Sequence, residues 1–242
     1  MRLGWRESPV AKKPEQLPFA LPQREAVGRD DFLVTPSNAA VVRLIDDWPH
    51  WPTHAAIMVG PAGAGKTHLT RVWQAASRAE IVPAPSLTSV AVPELFARKA
   101  LCLEDVKPQG FDETALFHLL NLARQDGGHV LLTSEAEPAL WQVKLPDLRS
   151  RLAALPSLRI LPPDDELLRG VLVKLFSDRQ IAVDEALISY MMLRMPRSLA
   201  AARDLVALID REALASKAEV TRVFVAKIMA HHESPGLFTT PP

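Results

Sequence analysis

The sequence predicts an α/β domain, a parallel sheet between layers of helices, followed by a smaller all-helical domain. Three observations predict it. Short apolar runs with little alternation recur between longer helical stretches, as strands buried on both faces require. The runs cease at Pro162 and Pro163, after which apolar residues recur only at helical spacing. Between the first run and the helix after it lies GPAGAGKT, residues 60–67, a glycine-rich turn of the kind that joins a buried strand to a helix.

The bulk numbers permit this and exclude several alternatives. A chain of 242 residues accommodates one large domain, or a medium and a small one, and 48% hydrophobic content is ample for a packed core. Basic and acidic residues balance at 28 each, so there is no global pull towards nucleic acid or an anionic membrane. One cysteine, Cys102, permits no intramolecular disulfide. No signal-peptide-like or membrane-spanning apolar stretch occurs, and a cytoplasmic protein without a membrane partner is expected.

In chain order, residues 1–27 form an extended arm punctuated by prolines, with QLPFAL (Gln16, Leu17, Pro18, Phe19, Ala20, Leu21) as its apolar segment. Its three large apolar side chains either fold back on the body of the protein or belong to a partner's surface. A helix from Ser37 is capped by Ser37 or Asn38 and ended by WPHWPT, 48–53. Strands follow at AAIMVG (55–60), EIVPA (80–84), ALCLED (100–105), HVLLTS (129–134) and SLRIL (157–161). Helices intervene at 67–77, 92–98 and 113–125. The α/β domain thus occupies 28–161. A helical domain over 162–232 carries Leu167, Leu168, Leu172 and Phe176 on its first helix and a methionine stripe at Met191 and Met195, read as bundle core. Residues 233–242 are a tail.

GPAGAGKT matches G-x-x-x-x-G-K-[ST] in the strand–turn–helix context that the pattern needs. Gly60, Pro61, Ala62, Gly63, Ala64 and Gly65 would wrap phosphates with backbone N–H groups, Lys66 would reach the β- and γ-phosphates, and Thr67 would hold Mg²⁺. Such a site needs acids at a neighbouring strand end, and Glu104 and Asp105 supply them, Glu104 on the metal side and Asp105 as the water-activating acid. A glutamate at the metal position extends the carboxylate by a methylene, a displacement of about an ångström that lowers catalysis. Thr133, Ser134 and Glu135 end another strand at the edge where open parallel sheets bind ligands. Arg149 and Arg151 precede the last strand, and Arg194 and Arg197 precede a helix of the second domain. Each fits a phosphate-sensing role, a finger reaching a neighbour's nucleotide, or a surface ion pair. No metalloprotease spacing or Ser–His–Asp signature appears.

Together, GPAGAGKTHL, LCLED, LLTSE, LRSRL and the arginine before SLAAARDL resemble the AAA+ family of P-loop NTPases, most nearly the ATPase module of DnaA, over about residues 28–230. The resemblance implies a five-stranded parallel sheet with a helical lid, and adenine nucleotide, ADP or ATP, between them. It makes His68 part of the nucleotide site, Arg197 the lid's sensor arginine and Arg151 a finger acting in trans, with Ser134 or Glu135 as first sensor. QLPFAL resembles the sliding-clamp-binding motif, and about ten residues after the last helix are too few for a DNA-reading domain. The combination is that of a DnaA paralogue that inactivates the initiator. Its implied partners are DnaA, the β clamp of DNA polymerase III and a second copy in a homodimer, with DNA reached only through the clamp. The competing expectation is a motor or helicase loader acting on DNA directly.

Overall fold

The computed structural model describes residues 33–232; the arm with QLPFAL and the tail lie outside the described residues. Five parallel strands form one sheet in the order β2-β3-β4-β1-β5: β1 Ala55–Val59, β2 Glu80–Pro83, β3 Ala100–Glu104, β4 His129–Ser134 and β5 Ser157–Arg159. Every residue of β1 is buried, which explains why its sequence shows no alternation.

The two faces are nevertheless distinct. Ile57, Leu101, Leu103, Val130 and Leu132 face one apolar cluster, shared with Leu116 and Leu119 of α4 (Glu113–Asp126) and Leu148 and Leu152 of α5 (Pro146–Ala154). Met58, Cys102 and Leu131 face the other, with Val41 and Leu44 of α1 (Ala39–Asp46) and Leu69 and Trp73 of α2 (Lys66–Ser77). Cys102 is fully buried beside the Thr70 hydroxyl, and burial pushes its thiol far above the ordinary range, so it is inert packing. The short α3 (Val92–Leu95) completes this domain.

A third core belongs to the helical lid, built from α6 (Asp165–Ser177), α7 (Glu185–Met192), α8 (Leu199–Ser216) and α9 (Arg222–His232). Leu172, Phe176 and Met191 are fully buried there, and burying one such side chain contributes about 1.5–3 kcal/mol. The helix starts are written locally. Asp112, Asp164, Asp184 and Ser198 each accept a hydrogen bond from the backbone N–H three residues on, capping α4, α6, α7 and α8.

Two expectations change. Asn38 stands at the N-cap of α1 without capping it; its amide accepts from Thr35 N–H and donates to the Leu33 carbonyl, bracing the preceding turn. The segment holding Arg149 and Arg151 is the helix α5, which sequence periodicity missed because only Leu148 and Leu152 of its nine residues are buried.

Beneath the N-terminal edge of the sheet, Trp51 stacks on Trp73 and meets the His129 ring edge-on at 5.3 Å, with His54 6.1 Å from His129. Burial, and then the neighbouring His54, hold the His129 imidazole below its usual 6.5. The folded state therefore favours neutral His129, and the unfolded chain takes up the proton first as pH falls. Stability is expected to be undiminished by this group above about pH 6.5 and to decline below it. Thermal melts from pH 7.5 to 5.0 should fall less steeply for His129→Gln than for the parent; parallel slopes would show that His129 does not contribute.

Candidate functional site: a P-loop facing three carboxylates

The site lies at the C-terminal edge of the sheet, where β1, β3 and β4 end together. Gly60 leaves β1 with its N–H on the Ser134 carbonyl, which ties the loop to the end of β4. Gly63 and Gly65 take left-handed φ of 71° and 100°, conformations that other residues adopt at a cost. Gly65 occupies the N-cap of α2 and offers no side-chain acceptor, so no residue's side chain caps the first-turn N–H groups of this 12-residue helix there.

Lys66 opens α2, and its ammonium curls over the loop to donate to the Gly60 and Pro61 carbonyls at 2.6 and 3.0 Å. Burial pushes this ammonium below its ordinary range, while the Glu135, Asp105 and Glu104 carboxylates, in that order, oppose the shift. Glu135 Oε1 stands 4.0 Å from Lys66 Nζ. The structure therefore brings together Lys66, Glu104 at the end of β3, Asp105 just beyond it and the first residue beyond β4. Thr67 is exposed on the first turn of α2, His68 is half-buried behind it, and Ala62 is exposed on the loop while Ala64 is packed beneath it.

Thr133 and Ser134 serve as stitching. Asp105 has a left-handed φ of 57°, and its N–H donates to the Thr133 hydroxyl. The fully buried Ser134 hydroxyl donates to the Val106 carbonyl at 2.6 Å and accepts from Ala136 N–H. These bonds hold the turn carrying Asp105 against the end of β4. Of the two first-sensor candidates, Glu135 is the one beside Lys66, and Ser134 positions the turn.

Glu104 tests whether a cation fits. Its Oε1 is buried without a hydrogen-bond partner among the described residues. A buried carboxylate oxygen left unpaired is costly, and a divalent cation at the phosphates would satisfy it. With the Thr67 hydroxyl at the head of α2, the donor set is all oxygen, which suits Mg²⁺.

The arginines separate. Arg197, in the turn between α7 and α8, donates to Asp165 Oδ1 at 2.6 Å. The next two residues touch the P-loop: Leu199 N–H donates to the Gly63 carbonyl at 3.0 Å, and Ser198 packs on Gly63 so closely that a β-carbon there would lie 2.1 Å from its hydroxyl oxygen. Arg151, in the last turn of α5, rests its guanidinium over the Phe117 ring at 4.8 Å and makes no ion pair among the described residues. Arg149 is exposed on the same helix, and Arg194 lies over the Tyr190 ring.

Sequence reasoning passed over Phe117, Asp165 and Ser198. It also missed a strap at the hinge, where Thr35 and Ser37 hydrogen-bond the Asp164 carboxylate and Ser37 accepts from Leu161 N–H. Burial works against the charge on Asp164, yet these bonds and that from Leu167 N–H hold its carboxyl below the usual range. The one legible signal among them was Ser198, a helix-capping residue directly before LAAAR.

No family model matches the chain. An uncharacterized protein of Haemophilus influenzae is 27% identical, the match covering 70% of this chain and 79% of the relative. The chromosomal replication initiator protein DnaA of a Caulobacter strain is also 27% identical over 70% of this chain, but the match spans only 38% of that longer protein. Among solved structures, domain III of the Thermotoga maritima initiator DnaA superposes with a TM-score of 0.71 at 18% identity, over 89% of this chain and all of that one. A Thermotoga maritima RuvB variant superposes with a TM-score of 0.65 at 17% identity, over 85% of this chain and 72% of that one. At such coverage the likeness takes in sheet and lid together, and what it establishes is a DnaA-like AAA+ fold.

Proposed function

We propose that the chain is an adenine-nucleotide-binding regulator of replication initiation, of the Hda type, that stimulates ATP hydrolysis on DnaA. The convergence of Lys66, Glu104, Asp105 and Glu135 in a DnaA-like fold carries this reading. Nucleotide phosphates bound at the loop would meet the N–H groups of residues 60–67 and the Lys66 ammonium, and Mg²⁺ would meet Thr67 and Glu104. The bound cation would neutralise phosphate charge. Asp105, its N–H held by Thr133 and its carboxylate 3.6 Å from the Lys107 ammonium, is near enough to act electrostatically on Lys66. The longer Glu104 in the metal position suits slow turnover.

Arg151 supports the action in trans. Its guanidinium is free of ion pairs among the described residues and is steadied by Phe117, so it is available to a phosphate held by a neighbouring molecule. DnaA is that molecule in this reading. The arm would dock on the sliding clamp through Gln16, Leu17, Pro18, Phe19, Ala20 and Leu21, with apolar side chains entering pockets and the glutamine setting register.

The test mixes the full chain with ADP, clamp loaded on DNA, and ATP-bound DnaA, and follows phosphate release. Accelerated release on DnaA is the expected result. The likeness to RuvB, a Holliday junction branch migration motor, favours a second reading, a DNA-directed motor, and robust DNA-stimulated hydrolysis by the isolated chain with no effect on DnaA would select it. Changing Gln16, Leu17 and Phe19 together to alanine is expected to abolish retention on immobilised clamp and leave ADP binding unchanged; full retention would refute docking through the arm.

A further inference from the structure

We propose that Asp165 is an internal competitor for the lid arginine, setting how tightly nucleotide is held by occupying Arg197 until phosphate displaces it. The inference rests on the reading of residues 60–67 as a phosphate site and adds a residue to its control. Three observations place the pair. Leu199 N–H is bonded to the Gly63 carbonyl and Ser198 packs against Gly63, so the backbone carrying Arg197 is pinned at the rim of the P-loop. The Arg197 guanidinium nonetheless points to α6, where it donates to Asp165 Oδ1 at 2.6 Å. The side chains are 56% and 69% exposed, so the pair is solvated and weak enough to exchange.

One guanidinium therefore has two anionic claimants. The carboxylate carries a single charge, whereas a di- or triphosphate carries more and is held beside Lys66 as well, so bound phosphate prevails. The contest lowers net affinity by whatever the ion pair was contributing. Exposed pairs of this kind correspond to about two- to fivefold in an equilibrium constant. Asp165 is not needed to start its helix, because Asp164 is the residue that caps α6.

Calorimetric titration of the 242-residue chain with ADP and with ATP, both with magnesium, provides the test. Asp165→Asn is expected to tighten ADP binding about two- to fivefold at low salt, with the gain shrinking as salt rises. Arg197→Gln is expected to weaken binding, and adding Asp165→Asn to it is expected to change nothing further. Asp165→Ser serves as a second variant, and melting curves confirm that each protein folds. Unchanged or weaker binding by both Asp165 variants, or a gain that persists without Arg197, would overturn the proposal. Absence of ADP binding by the parent chain would instead remove the phosphate-site reading, and the competitor role with it.

Discussion

Arg151→Ala is expected to abolish the proposed stimulation of DnaA's ATP hydrolysis while leaving ADP binding and the proposed clamp docking unchanged. An arginine supplied across an interface to a transferring phosphoryl group accounts for roughly 10³–10⁵ in rate. The separation of effects follows from placement. Arg151 lies on α5, whereas the P-loop, Glu104 and Asp105 lie at the ends of β1 and β3, and no bond joins it to them among the described residues. Its removal uncovers part of Phe117, which is half-buried, and takes away no ion pair among the described residues. Arg151→Lys keeps the charge but loses the planar fork and the stacking, so it should restore only a minor part of the stimulation. Single-turnover hydrolysis of ATP preloaded on DnaA gives the rate directly. A variant as stimulatory as the parent would end the assignment of Arg151 as the finger.

Gly63→Ala carries the second large effect, and it acts within the chain. Alanine in the left-handed conformation costs about 1–2 kcal/mol. Its β-carbon would also lie 2.1 Å from the Ser198 hydroxyl oxygen. That hydroxyl caps α8, so moving it aside adds about 1 kcal/mol for the lost cap. Either the loop gives up its dihedral angles or the lid lifts from it. Weakening of ADP binding by up to about a hundredfold is expected, with a lower melting temperature. Gly127→Ala supplies the contrast, since Gly127 has φ 72° at the end of α4 and open space around it. It should lower stability by about 1 kcal/mol and leave ADP affinity alone. Equal ADP affinity in the Gly63 variant and the parent would show that lid and loop do not act together.

These two residues show how legibility divided. Gly63 was readable as a member of the P-loop, because that chemistry is carried by eight consecutive residues in a strand–turn–helix context. Its contact with Ser198 was not, since it depends on how one domain settles on another. The strands were legible because burial on both faces leaves an unbroken apolar run, as in β1 and β3. Helix α5 was not, because PDLRSRLAA buries just Leu148 and Leu152 and otherwise reads as polar. Asp165 and Arg197 stand 32 residues apart and meet only through the folding of the lid. Polar residues at strand ends carry the same ambiguity: Ser134 and Glu135 are neighbours in sequence, yet one stitches a turn and the other faces Lys66.

The strap at Thr35 and Ser37 has a mechanical meaning. Hydroxyls of both residues bond Asp164 at the first turn of the lid, and the Ser37 carbonyl takes the N–H of Leu161 at the end of the sheet domain. Leu33, just before them, lies against Gly170 on α6. Residues 33–37 thus grip the seam between the two domains. Tension transmitted along the preceding residues would arrive at that seam rather than at an inert surface.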